Sequence, residues 1–185
     1  YGIGSCTKSF TALAIMQLAE QGKLNVHDPV SKYLPLKIGN KDDPITIHHL
    51  LTHSSGIPNL GEAETIITRM NEIYDIWIPA SSFEDFMLHV NGASQEAAKP
   101  AQRFFYLNEG YALLGEIIER VSGMKYQIYV KEKILKPLKM NRSTFLKEEF
   151  EKDPDIMTPY FVQNKEGKTT ISPGQHPFHK FVYAP

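Results

Sequence analysis

The chain has 185 residues, 42% hydrophobic and 22% charged, the composition of an ordinary globular domain and not of a disordered tail. Twenty basic residues against twenty-one acidic ones leave a formal charge of −1, with no excess to neutralise a phosphate backbone, which argues against nucleic-acid binding. The single cysteine, Cys6, forbids an internal disulfide; it is compatible with the cytoplasm and leaves the localisation open.

Tyr1-Gly2-Ile3-Gly4 leads straight into a helix predicted over residues 5–21, with Gly22 as its stop. Phe10, Leu13, Ala14, Ile15, Met16, Leu18 and Ala19 leave it almost no polar face, the pattern of a helix buried mid-protein. Its uncharged run, residues 9–19, falls well short of the roughly 20 residues of a membrane span, so no transmembrane helix is expected. Residues 23–39 carry turns at Asp28-Pro29 and Leu34-Pro35 around a short helical piece. Thr46 is expected to cap a helix through Ile47, Leu50 and Leu51 that Ser54-Ser55-Gly56 and Pro58 end. Residues 66–71 and 82–90 read as amphipathic helices, the second opened by the capping box Ser81-x-x-Glu84.

A polar loop over residues 91–102 precedes a strong helix, with Asn108 as its cap, Leu113, Leu114, Ile117, Ile118 and Val121 at helical spacing, and Ser122-Gly123 as its stop. Residues 125–134 give one more helix, ended by Pro137. Phe161-Val162 and Thr169-Thr170-Ile171 then flank Asn164-Lys165-Glu166-Gly167 as a hairpin. A helical body with strand material near the C-terminal end is an α+β pattern. The glycine-rich apolar opening and the run Phe181-Val182-Tyr183-Ala184-Pro185 predict an excerpt of something longer: residues 1–185 as one partial domain.

The chemistry is expected at Ser5-Cys6-Thr7-Lys8, an S-x-x-K sequence at the start of the apolar helix. Three residues apart, Ser5 and Lys8 share a face, with Cβ atoms about 5–6 Å apart. A serine hydroxyl becomes a nucleophile when a neighbouring base takes its proton. Lys8 qualifies in its neutral form, which the positive end of the helix and an apolar setting both favour. The Ser5 N–H at the helix start is a candidate oxyanion donor. The same expression recurs at Ser122-Gly123-Met124-Lys125, where it is a helix stop followed by a solvated lysine, so the motif alone decides nothing. Tyr106-Leu107-Asn108 is the second piece. A phenol close to an ammonium can be held as tyrosinate and relay protons, and an amide can grip a substrate amide. On spacing alone, a core tyrosine followed by an N-cap asparagine is the better reading.

Taken together, the motifs resemble the serine β-lactamase and penicillin-binding-protein superfamily, and within it the class C β-lactamase, D-aminopeptidase and esterase branch. The resemblance rests on Ser5-x-x-Lys8 followed by Phe10-Thr11-Ala12-Leu13-Ala14, Gly22-Lys23-Leu24, Asp28-Pro29-Val30 and Tyr33-Leu34-Pro35. It continues through Ile45-Thr46-Ile47, Leu50-Leu51-Thr52-His53-Ser54-Ser55-Gly56-Ile57-Pro58, Phe105-Tyr106-Leu107-Asn108-Glu109-Gly110-Tyr111, Pro137-Leu138-Lys139-Met140 and Ser143-Thr144-Phe145, in the family's order. It implies an antiparallel sheet flanked by helices plus a helical lobe, of which this chain holds mostly the lobe and an incomplete sheet. It also implies Ser5 as acylated nucleophile, Lys8 as its base, Tyr106 as proton shuttle and Asn108 as substrate-binding amide. The expected activity is a serine hydrolase cleaving an amide or ester of a small-molecule or peptide substrate, peptidase or esterase ahead of dedicated β-lactamase. No cofactor or metal is expected, and the oligomeric state is open.

Two positions and one missing motif depart from the family's pattern: Leu107 where serine is usual, Pro100-Ala101 where Pro-Gly is commoner, and no Lys-Thr-Gly or His-x-Gly third motif, while Pro137-Leu138-Lys139-Met140 resembles its Pro-Leu-Gly-Met segment. Lys168-Thr169-Thr170 lacks the glycine that lets substrate approach. The excerpt alone is therefore expected to be inactive, and the alternative is a non-catalytic homologue serving as scaffold or ligand-binding protein. His48, His49 and His53 are expected to be structural, with His49 and His53 four apart on one helical face. Cys6 is expected to pack, Glu116, Glu119 and Arg120 to form a solvated face, and Phe104, Phe105, Tyr106 and Tyr111 to be mostly core.

Overall fold

The computed structural model describes residues 2–58, 70, 73–75, 82–92, 97–157, 160–165 and 167–173. A 3-10 turn, Gly4–Cys6, runs directly into helix α1, Thr7–Glu20. Helices α2 (Ile47–Leu51), α3 (Phe83–Asn91), α4 (Asn108–Ser122), α5 (Tyr126–Val130) and α6 (Lys147–Phe150) follow. A π-helical turn, Lys131–Leu135, continues α5. Strands β1 (Tyr160–Lys165) and β2 (Lys168–Pro173) pair antiparallel, Lys165 opposite Lys168 and Val162 opposite Ile171, so the hairpin forms where the turn residues place it. The 66–71 helix lies almost wholly outside the described residues.

α4 is the centre of the body. Its Leu113, Leu114, Ile117 and Ile118 are fully buried, packed with Ala14, Ile15 and Leu18 of α1, Ile47 and Leu50 of α2, and Tyr126, Tyr129 and Val130 of α5. Each such side chain contributes about 1.5–3 kcal/mol by leaving water. A buried hydroxyl pair, Thr11 Oγ1 to Tyr126 Oη at 2.8 Å, ties α1 to α5. Gly123, at φ 70°, ends α4 as expected and donates its N–H to Glu119 O.

α1 departs from expectation. It buries only the stripe Thr11, Ala14, Ile15 and Leu18, while Leu13 and Met16 are 43% and 52% exposed, so its other apolar face meets solvent in this chain. Cys6, expected to pack, is exposed. The capping box of α3 is one residue later than predicted: Ser82 Oγ accepts from Asp85 N and Asp85 returns the bond to Ser82 N. Thr46 caps α2 as expected, but its reciprocal partner is His49, whose Nδ1 accepts from Thr46 N at 3.2 Å. Glu116, Glu119 and Arg120 are not a solvated face. Glu116 is buried and paired to Arg120, whose guanidinium also donates to Tyr33 O, and Glu119 accepts from Lys125 and from the N–H of Tyr126. These charges tie α4 to the segments before and after it.

A chain crossing near α2 positions the site. Gly56 sits at φ 74°, and a Cβ there would lie 1.9 Å from Ala98 O, so only glycine permits the approach. The Ala97 N–H donates to Gly56 O, the Ala101 N–H to Ser54 O and the Phe105 N–H to His53 O, at 2.7–2.9 Å. These bonds lay the segment leading into α4 against residues 53–56. Thr169 Oγ1 is spent on Asn164 Oδ1 across the hairpin, a structural use for part of Lys168-Thr169-Thr170.

Candidate active site

Four polar side chains from two distant stretches of chain converge at one place on the surface. Ser5 stands on the 3-10 turn and Lys8 in the first turn of α1; the Nζ of Lys8 is 3.2 Å from Ser5 Oγ, so the i, i+3 spacing delivers the contact that it predicts. Tyr106 and Asn108 arrive at the start of α4. Extended backbone at Leu107 (φ −133°, ψ 109°) places them on one side and turns Leu107 into the core at 2% exposure. Tyr106 Oη lies 2.7 Å from Ser5 Oγ, and Lys8 Nζ donates to Asn108 Oδ1 at 2.7 Å.

The packing of α1 against α4 is what makes these distances possible across about a hundred residues of sequence. Leu107 and Leu50 both lie beside Gly110, where an added Cβ would be 3.4 Å from Leu107 Cδ2 and 3.6 Å from Leu50 Cδ2. The departure from serine at position 107 therefore touches the core and not the chemistry. Asn108, expected to cap α4, does not: its amide oxygen is taken by Lys8, and Leu107 occupies the cap position with no side-chain bond.

Hydrogen bonding from Lys8, then from Ser5, holds the Tyr106 phenol below its ordinary value, and the positive charge of Lys8 adds to the effect. Lys8 Nζ lies 4.9 Å from the Tyr106 ring centroid and 5.6 Å from that of Tyr111. The setting is wetter than the apolar run of α1 predicts: Ser5, Tyr106 and Asn108 are exposed and Lys8 is half-buried. Phe104, expected in the core, is 69% exposed, whereas Phe105 and Tyr111 are half-buried.

His53 is a neighbour whose place the pattern did not reveal. α2 ends at Leu51, so His53 is not on a helical face with His49; it takes a left-handed conformation, φ 56°, just beyond the helix. Its Nδ1 accepts from Leu107 N–H at 3.1 Å, and its ring centroid lies 4.4 Å from that of Tyr106 and 5.1 Å from that of Tyr111. Burial, then the charge of Lys8, pushes its pKa down. Among the described residues no group of three His, Cys, Asp or Glu is placed to hold a metal ion, and no helix is long and apolar enough to cross a membrane.

The family model described as "Beta-lactamase" matches residues 1–171. The chain belongs to the β-lactamase family. Within the serine β-lactamase and penicillin-binding-protein superfamily it is similar to Protein flp of Staphylococcus aureus strain MW2, 36% identical over 161 residues, which is 85% of this chain and 30% of that protein. Among solved structures, the octameric penicillin-binding protein homologue from Pyrococcus abyssi superposes with a TM-score of 0.79 at 52% identity, over 94% of this chain and 39% of that one. The D-stereospecific amidohydrolase from a Streptomyces species gives 0.63 at 32% identity, over 78% and 44%. The chain thus spans between 30% and 44% of the length of these relatives. The fold is the β-lactamase/transpeptidase-like one, and the described residues are its helix-rich part, with little sheet.

Proposed function

We propose that this β-lactamase-family chain carries the acylation centre of a serine hydrolase that cleaves amides, with a peptide or small amide as substrate. The observation that carries the reading is the three-way contact at Ser5: Tyr106 Oη at 2.7 Å, Lys8 Nζ at 3.2 Å, and Lys8 in turn on Asn108. Similarity to a D-stereospecific amidohydrolase supports an amide over an ester.

In the proposed cycle Ser5 Oγ attacks the carbonyl carbon while its proton passes to the pair formed by Tyr106 and Lys8. Tyr106 Oη is the nearer group, and in the phenolate form that Lys8 favours it, in place of the neutral Lys8 expected from the sequence, accepts that proton and then delivers it to the leaving amine. Lys8 supplies the positive charge that keeps the phenolate available and fixes the Asn108 amide. That amide still has its two N–H donors for a substrate carbonyl. The Ser5 N–H is assigned as one oxyanion donor. Water then releases the acyl group through the same tyrosine.

The test is a fluorophosphonate probe on the full-length protein, with the label mapped by mass spectrometry. Label on Ser5, lost in Ser5→Ala, is the expected result. A folded protein that takes no label, or takes it on another residue, would leave the scaffold reading in its place.

A further inference from the structure

We propose that His53 is a positioning residue for this centre: its backbone carbonyl and its imidazole hold the backbone on the two sides of Tyr106, and the imidazole thereby sets the phenol over Ser5. The inference rests on the acyl-enzyme reading above. Two bonds make the grip. The carbonyl of His53 accepts from Phe105 N–H at 2.7 Å, and its Nδ1 accepts from Leu107 N–H at 3.1 Å. Tyr106 is the residue between those two amides, and its ring lies against the imidazole at 4.4 Å.

The geometry requires a particular protonation state. An Nδ1 that accepts from an amide carries no proton, so the neutral ring must hold its proton on Nε2. Adding a second proton would put N–H against N–H at Leu107 and release one jaw of the grip. The titratable groups facing the ring are Lys8 from α1, Tyr106 at the entry to α4 and Tyr111 within α4. Burial and the lysine charge both resist that protonation. The left-handed backbone at His53 narrows the choice of residue further, because asparagine, aspartate and histidine tolerate positive φ best, and of these asparagine and histidine offer an uncharged acceptor.

The experiment uses the full-length protein, with His53→Asn and His53→Phe, and reads the rate of Ser5 acylation by a fluorophosphonate against pH. Asparagine keeps the acceptor and the backbone conformation but cannot titrate. Phenylalanine keeps the ring but has no acceptor. The expected result is that His53→Phe slows acylation by about tenfold to a hundredfold, the usual effect of a displacement near 1 Å, with half-saturation changed less than about twofold. His53→Asn should stay within about threefold of wild type at neutral pH and keep its rate at acid pH, where wild type loses it. Nitrogen-15 NMR of the imidazole should show a bare Nδ1, with the ring titrating below an ordinary histidine at the midpoint of the wild-type acid limb. Wild-type acylation rates in His53→Phe, an unchanged acid limb in His53→Asn, or a protonated Nδ1 would each overturn the proposal while leaving Ser5 as nucleophile. If His53→Phe fails to fold, the asparagine profile and the NMR decide. Failure of wild type to label at Ser5 would overturn the hydrolase reading and this inference together.

Discussion

Tyr106 is where single residues matter most. Removing its hydroxyl, Tyr106→Phe, should lower Ser5 acylation by about 10²–10⁴-fold, the range of a positioned proton carrier, and leave thermal stability unchanged because the side chain is exposed. Its phenol should titrate below a free tyrosine in ultraviolet difference spectra, and Lys8→Ala should return it toward the ordinary value. A tyrosine titrating normally in wild type would remove it as the immediate proton acceptor. Asp28 makes a different, structural prediction. Lys32, the Tyr33 hydroxyl and the Asn25 N–H hold its carboxyl down at about 2. The group is lowered on folding, so its contribution is complete above the unfolded carboxylate value of about 3.9 and is lost as pH falls from there towards about 2. In Tyr33→Phe, acid unfolding should begin at higher pH, a shift that circular dichroism can follow. At this scale the sequence was legible where spacing dictates contact. Ser5 and Lys8 had to meet because helix geometry puts i and i+3 together. Tyr106, Asn108 and His53 could not be placed that way: their contacts depend on how α1 and α4 pack, which no local pattern encodes.

Elements show the cost of two departures from the family's pattern. Ala101 stands where Pro-Gly is commoner, at φ 62°, and Lys139 stands in the glycine position of Pro-Leu-Gly-Met, at φ 56°. Both turns demand a left-handed residue, and both carry a Cβ that resists it by about 1–2 kcal/mol, partly offset by the greater freedom glycine has when unfolded. Ala101→Gly and Lys139→Gly should each stabilise the fold by on the order of 0.5–1 kcal/mol in urea titrations. Gly56→Ala should do the reverse and more, because its Cβ would meet the Ala98 carbonyl oxygen as well as an unfavourable φ. If the three substitutions proved equivalent, the crossing of residues 53–56 with 97–105 would be looser than the geometry describes. Helix identities were readable from apolar spacing and stop signals, as in α4 with Gly123. The cap assignments were less so: Ser81 and Ser82 are adjacent, each has an acid three residues on, and only the packing of Met87 and Val90 selects the register.

At the scale of the molecule, α1 carries apolar residues on two faces but only one is covered in this chain. In a protein of the length of its relatives, the Leu13 and Met16 face is expected to be buried by further chain. The paired substitution Leu13→Gln with Met16→Gln should be nearly neutral in the 185-residue chain, since exposed positions change stability by about 0.5 kcal/mol or less. In the full-length protein the same pair should cost at least about 2 kcal/mol. Equal costs in both would show that the face stays wet throughout. The distance in sequence between the two halves of the site has a consequence during synthesis. Ser5 and Tyr106 lie 101 residues apart, and Lys8 and Asn108 lie 100 apart. At about 5–20 residues per second, roughly 5–20 s separate the translation of the serine from that of its tyrosine. On the acyl-enzyme proposal, a ribosome-bound nascent chain would carry an unarmed alcohol, and a stalled or truncated translation product ending before residue 106 would be born inert towards its own neighbours.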